Sequence, residues 1–116
     1  MIEHLGLMGT GSTGTNVGIK NCCAQEHSLV SDVLIANVAT GIALSDSYAE
    51  NSGPYSNITM SNVNKCVSIE QGSTGKPIPV TRGFHGLTCT LSSTSNSSAA
   101  ILIDGSDNSL GGHQHY

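Results

Sequence analysis

The sequence contains very few aromatic and charged residues. Its 116 residues include one phenylalanine, three tyrosines and no tryptophan, and charged residues make up 10% of the chain, compared with about a quarter in a typical globular domain. The four Lys and Arg residues and the net charge of −4 argue against a nucleic-acid partner, because phosphate binding needs clustered basic groups. No apolar run approaches the roughly 18 residues of a membrane-spanning helix, so no membrane partner is expected.

A signal peptide is also missing from this chain. The N-terminal stretch MIEHLGLMGTG has neither a basic start nor a long apolar segment. Three interpretations stay open: a cytosolic protein, a secreted protein whose leader has been removed, or a piece of a longer chain. The length allows one domain at most.

The cysteines show no metal-binding pattern. Cys22, Cys23, Cys66 and Cys89 include no pair of CxxC motifs, so a zinc site is not expected. Free cysteine usually packs as a small core residue, and this interpretation is favoured here. A disulfide is the alternative, and the sequence assigns no pairing.

Two stretches of the sequence repeat each other. SDVLIANVATGIAL (31–44) and SNITMSNVNKCVSI (56–69) align residue by residue at a spacing of 25 (58 − 33). In both, Val, Ile, Leu and Met alternate with small or polar residues, which is typical of β-strands. Weaker copies are EHLGLMG and VGIK before them, with Val17 aligned to Ile42 at the same spacing (42 − 17), and FHGLTCTL and AILID after them. Repeats of this length indicate a solenoid, in which each unit buries its apolar face against the next.

The sequence therefore predicts an all-β protein, a right-handed parallel β-helix of about four to five coils of roughly 25 residues. Residues 1–110 form its single domain, and 111–116 form a C-terminal tail. Aliphatic columns along the axis replace an aromatic core. The predicted inward residues are Leu5, Leu7, Val17, Ile19, Val33, Ile35, Ile42, Leu44, Ile58, Met60, Val67, Ile69, Leu87, Cys89, Ile101 and Ile103.

Four longer segments interrupt the repeat. They are Thr10–Thr15, Ser47–Tyr55, Gln71–Gly83 and Ser92–Ser98. All three prolines lie in the second and third of these segments, as expected for residues that cannot serve a central strand. In solenoids such insertions tend to crowd one face, which is often the binding face.

The repeated V-x-I-x-N-V…G-I-x-L pattern resembles the pectin-lyase-like β-helix superfamily, which includes polysaccharide lyases, glycoside hydrolases and phage tailspikes. Asn37 and Asn62 follow the first strand of their units, where members of this superfamily stack asparagines in a ladder. The resemblance implies an extracellular protein that binds or cuts polysaccharide. Family enzymes have many more coils than this chain, so it resembles a segment of such an enzyme or a minimal stack.

Glu70 and Asp104 are the candidate catalytic residues. If the second strands of neighbouring coils align, their carboxyl groups come within about 5 Å, close to the separation in a retaining glycosidase. Lys20 and Ser45 are predicted to share their row. The alternative is a pair of solvated surface carboxylates.

His4, Asp32 and Asn57 form a second candidate site on the outer face of the first strands. These side chains could bind sugar hydroxyls or a Ca²⁺ ion, which prefers oxygen ligands, although no motif supports a cofactor or a metal site. Arg82 is the remaining candidate for substrate binding, as one of two basic residues near the loops. The alternative is the ordinary polar face of a strand.

Three functions from different classes follow. The chain is a polysaccharide-active enzyme or a fragment of one, a carbohydrate-binding module, or a structural solenoid. The third has a physical motive, because a short β-helix exposes strand edges and apolar column ends that invite pairing with another copy. A homo-oligomer formed through the ends is therefore expected.

Overall fold

A computed structural model describes residues 2–21, 29–45, 54–70, 79–80, 84–93, 98–104 and 109–110. The candidate Arg82 and the predicted tail 111–116 lie outside these residues. The described ranges contain eight strands and no helix, so they include no helix that could span a membrane. The strands are β1 (Ile2–Met8), β2 (Val17–Asn21), β3 (Val30–Ser45), β4 (Tyr55–Glu70), β5 (Pro79–Val80), β6 (Phe84–Leu91), β7 (Ala99–Asp104) and β8 (Ser109–Leu110).

The six long strands form one parallel sheet, and the prediction of an all-β protein is confirmed. β3 and β4, each 16 residues long, pair along their whole length at its centre. On one side, β1 pairs with the first half of β3 and β2 pairs with its second half. On the other side, β6 pairs with the first half of β4 and β7 pairs with its second half. β5 and β8 form a separate parallel pair.

The first halves follow the predicted alignment. Leu5 is the Cα partner of Val33, Val33 of Ile58, and Ile58 of Leu87. Parallel pairing in this register places apolar side chains directly over one another, so they share the buried face. The spacing of the repeat thus gives the register of β1, β3, β4 and β6.

The alignment predicted for β2 is wrong by two residues. Ile19, not Val17, is the partner of Ile42, and Val17 pairs with Thr40 and stays 37% exposed. A shift of two residues keeps the same face of the strand inward. It also places Ile19 at the end of the buried Ile42–Val67 column, where its side chain becomes buried.

Burial is complete in the middle of the sheet and falls off at its ends. The predicted inward residues of β3 and β4 are at most 2% exposed, for example Val33 and Ile58. Leu5 at one end and Ile101 at the other were also predicted to be inward, but each is 44% exposed. They have a neighbouring strand on one side only, so half of the packing that buries the central residues is missing.

Five of the described non-glycine residues adopt the left-handed conformation, and they fall at equivalent places in neighbouring strands. The first set, here called the left-handed column, is His4 (φ 53°), Asp32 (55°) and Asn57 (54°), with Gly86 (66°) as its fourth member; the second is Asn37 (60°) and Asn62 (53°). Strand pairing runs up to each of these residues and resumes one residue later. Asn, Asp, His and Gly are the residues that tolerate this conformation best.

Each left-handed residue changes which side chains point inward. Tyr55 and Ile58 are both buried although they are three residues apart, and so are Met60 and Val63. The sequence placed Tyr55 in an interrupting segment, but it begins β4 and stacks on Phe84 with ring centroids 4.9 Å apart. A strict alternation of inward and outward side chains along the strand therefore does not predict that all four of these side chains are buried.

Side chains from both halves of the sheet enter one hydrophobic core. Glycines in the second halves make room for large residues of the first halves. A Cβ atom on Gly18 would lie 2.7 Å from Cγ2 of Ile35, and one on Gly41 would overlap Sδ of Met60. The two halves therefore face each other across a shared interior.

A disulfide joins β4 to β6. Cys66 and Cys89 are bonded, with their Cα atoms 6.3 Å apart, and Cys66 is fully buried. The favoured interpretation of reduced core cysteines is wrong for this pair. Cys22 and Cys23 lie outside the described residues.

Candidate functional site

A polar cleft of about 430 Å³ lies among the described residues. This volume falls in the range of small-ligand sites, which is roughly 300–1,000 Å³. The cleft is lined by Ser12, Thr13, Gly14, Asn62, Asn64, Ser92 and Ser93. None of these side chains is ionisable or aromatic, so the lining offers hydroxyl and amide groups and a glycine backbone.

The segment after β1 forms one wall of the polar cleft, and Asn16 fixes it in place. The Asn16 side-chain oxygen accepts a hydrogen bond from the Ala39 backbone N–H at 3.0 Å, and its Nδ2 donates to the Gly11 carbonyl at 3.2 Å. The Gly11 N–H donates in turn to the Asn37 carbonyl at 2.9 Å. Ser12 and Thr13 are therefore presented by a loop that is tied at both ends to β3.

The opposite wall is built by the turn that follows β6. The Ser92 N–H donates to the Val63 carbonyl at 2.7 Å, which holds the turn against β4. The Ser98 hydroxyl donates to Oδ1 of Asn64 at 2.8 Å and lies 3.0 Å from the Ser93 hydroxyl. This chain of hydrogen bonds orients polar groups toward the cleft before any ligand binds.

One member of the asparagine pair Asn37 and Asn62 also lines the cleft, namely Asn62. Asn62 Nδ2 donates to Oδ1 of Asn37 at 2.9 Å, and Asn37 Nδ2 points at the Met8 sulfur at 3.0 Å. Both asparagines are left-handed, so their side chains leave the strands at the same angle. The ladder therefore places the Asn62 amide at the cleft.

The predicted binding cluster of His4, Asp32 and Asn57 is also brought together. His4 Nδ1 lies 3.3 Å from Oδ2 of Asp32, and Asn57 Nδ2 donates a short hydrogen bond to Oδ1 of Asp32. Because all three residues are left-handed, the backbone itself favours Asp, Asn and His there. Their polar groups pair with one another, so the column has a structural role that needs no ligand.

The predicted catalytic pair lies on neighbouring strands. Glu70 of β4 and Asp104 of β7 are Cα partners, and Ser45 of β3 is the next member of the row. Lys20 does not join them, because it pairs with Ala43.

The described residues include no group of three or more His, Cys, Asp or Glu side chains that could hold a metal ion. The Asp32 carboxylate accepts a hydrogen bond from the Asn57 amide and contacts the His4 imidazole.

The cleft residues were not individually predicted, although two of their segments were noticed. Thr10–Thr15 and Ser92–Ser98 both interrupt the repeat, and Ser12, Thr13 and Gly14 of the first and Ser92 and Ser93 of the second line the same cleft. The remaining lining residue, Asn64, had no sequence signal, because a single polar residue in a strand looks like any other. Interruption of the repeat was the useful sequence signal.

No protein-family model, curated protein or solved structure matches this chain.

Proposed function

We propose that the chain is a short right-handed parallel β-helix, similar to the pectin-lyase-like superfamily, that binds a neutral polysaccharide. The β-helix is supported by the parallel pairing of strands that recur at intervals near 25 residues, as successive turns of a solenoid do. The β5–β8 pair fits a third side, since each member follows a longer strand of the sheet in the chain. Right-handed crossovers are the rule for parallel strands.

The proposal that the protein binds a glycan rests on the composition of the polar cleft. The seven described residues that line it provide hydroxyl, amide and backbone groups. Sugars present many hydroxyl groups that both donate and accept hydrogen bonds, and Ser, Thr and Asn side chains match both capacities. The hydrogen-bonded walls lower the cost of ordering these side chains on binding.

The same lining defines the class of sugar. The described lining residues include no Lys or Arg, so a uronate or phosphate group would lose water without gaining a charged partner from them. A neutral glycan does not carry this cost. Because these described residues also include no aromatic ring to stack on the sugar, we expect weak binding, with a Kd of about 1 mM.

The disulfide supports an extracellular location. Disulfides persist mainly in oxidising compartments, where secreted proteins fold. Polysaccharide is also met mainly outside the cell, which fits the same location.

NMR titration of the ¹⁵N-labelled protein with neutral cello-, xylo- and manno-hexasaccharides tests the proposed binding. We expect shift changes centred on the cleft residues with at least one of them, and none with an oligogalacturonate of equal length. Thr13→Val removes a single cleft hydroxyl and should weaken binding about 2- to 12-fold, the value of one hydrogen bond.

Thr59→Val is the matched control, because Thr59 is an exposed threonine of β4 outside the cleft. It should leave the affinity unchanged. Equal losses for the two variants, or shift changes only with the oligogalacturonate, would contradict the proposed site.

Glycoside hydrolysis is the second candidate function, favoured by the register of Glu70 and Asp104. Neighbouring strands of a sheet are about 4.8 Å apart, and retaining glycosidases hold their carboxyl groups about 5–5.5 Å apart. Reducing-sugar release should then be lost in both Glu70→Gln and Asp104→Asn, with glycan binding at the cleft retained. Binding without turnover in the unmodified protein would leave the binding module as the function.

A further inference from the structure

We propose that copies of this chain associate head to tail through the two ends of the sheet. The head is the β1–β2 end and the tail is the β6–β7 end. In the sheet formed by the described residues, β1 and β6 are the outer strands, and an outer strand has one side whose backbone groups can pair with another chain. This docking uses the observed strand registers and is independent of glycan binding.

The apolar columns are complementary at the two ends. One column runs from Leu5 through Val33 and Ile58 to Leu87, and its exposed member is Leu5 at the head. Another runs from Ile19 at the head through Ile42 and Val67, and its exposed member is Ile101 at the tail. Docking head on tail sets Leu5 of one copy over Leu87 of the next, and Ile19 over Ile101. Both exposed side chains then become buried.

The left-handed column indicates why the partner is a second copy. Every strand that pairs in the first half of the sheet has a left-handed residue at the same place, ending at Gly86 in β6. A strand that continues the pairing on β6 needs a left-handed residue in that register. β1 of a second copy supplies it at His4, and Gly86 has no side chain to obstruct the imidazole.

Charge also matches at the joint. The row that contains Glu3 passes through Ser31 and Ser56 to His85. In the docked pair the Glu3 carboxylate of one copy therefore lies beside the exposed His85 imidazole of the other. An imidazole N–H donates a hydrogen bond to a carboxylate in either protonation state.

Because the head and the tail are different surfaces, the contact is heterologous. Such a contact leaves a free head and a free tail after each addition, so association continues as an open chain unless it closes into a ring. The weight-average mass should rise steadily with concentration and pass beyond that of a dimer.

Sedimentation velocity and light scattering of the purified protein test this docking. Leu5→Lys places a charge at the head and should shift association to at least tenfold higher concentration. Leu34→Lys is the matched control, since Leu34 is an equally exposed leucine, at 49%, on the central strand β3. It should associate like the unmodified protein. Circular dichroism of each variant checks that it remains folded.

A mixture of variants tests the polarity of the contact. Leu5→Lys keeps an intact tail and Ile101→Lys keeps an intact head, so each alone should stay monomeric at the concentrations where the unmodified protein begins to associate. An equimolar mixture at those concentrations should form dimers and nothing larger. Head-to-tail docking is overturned if the unmodified protein is monomeric at all concentrations, if either single variant associates as readily as the unmodified protein, or if Leu34→Lys dissociates as readily as Leu5→Lys.

Discussion

At the scale of single residues, the left-handed positions account for much of the polar pattern in the strands. His4, Asp32 and Asn57 look like ligands in the sequence, yet all three occupy a conformation that most side chains avoid. Gly86 continues their column with no functional group at all. The backbone conformation therefore explains these residues without a substrate.

The left-handed conformation of Asn37 can be tested by comparing the stability of glycine and alanine substitutions at this position. Glycine in a strand is less stable than alanine by about 0.5–1 kcal/mol, whereas at a left-handed position alanine carries a penalty of about 1–2 kcal/mol. Asn37→Gly should therefore be more stable than Asn37→Ala, with both below the unmodified protein.

Thr59, an exposed residue of β4 with ordinary φ, supplies the control. There Thr59→Ala should be more stable than Thr59→Gly. Urea unfolding midpoints of the four variants give the comparison, and the same order at both positions would show that Asn37 is not left-handed in solution.

At the scale of elements, β3 and β4 form the centre of the sheet. Each pairs on both sides along most of its length, and their inward residues form the centre of the core. The outer strands pair on one side, so their apolar residues are only partly covered. Sensitivity to substitution should fall from the centre of the sheet to its ends.

Val33 and Leu34 are neighbours on β3 that face opposite ways, being 2% and 49% exposed. Val33→Asp buries an unpaired carboxylate, a cost of several kcal/mol that is comparable with the whole stability of a small domain. Leu34→Asp should change stability by no more than about 0.5 kcal/mol. Far-UV circular dichroism with urea titration separates them, and a folded Val33→Asp protein would refute the inward assignment.

At the scale of the whole molecule, the disulfide holds an outer strand to the centre. It links Cys66 of β4 to Cys89 of β6 across 23 residues of sequence. Much of that intervening segment lies between two strands that pair with each other, so the bond closes the loop that leads from one to the next. Restricting this loop in the unfolded chain stabilises the fold by about 3 kcal/mol in the chain-entropy description.

Reduction should therefore lower the urea midpoint of the oxidised protein. The double variant Cys66→Ala/Cys89→Ala should unfold near the midpoint of the reduced protein and respond little to reductant. Mass spectrometry of non-reduced peptides should recover the Cys66–Cys89 link. An unmodified protein whose midpoint ignores reductant would contradict the contribution assigned to this bond.

The sequence by itself determined the all-β class and the register of the first halves of the sheet. It could do so because the 25-residue repeat of Val, Ile and Met fixes which residues lie over which, and parallel pairing preserves that alignment. It also placed Asn37 and Asn62 together, since identical residues at equivalent positions of a repeat stack. The interruptions at 10–15 and 92–98 marked the segments that meet at the cleft.

Only the tertiary structure decided the remainder. Left-handed residues reset the alternation, so the burial of Tyr55 and Val63 follows from backbone angles that the sequence pattern does not state. The Cys66–Cys89 pairing depends on two strands meeting across the core. The two-residue shift of Ile19 appears only in the pairing of β2 with β3, and the exposure of Leu5 and Ile101 only in the packing at the two ends of the described sheet. A sequence repeat identifies which residues occupy equivalent positions in successive strands. The burial of each of these residues depends on what packs around it in the folded protein.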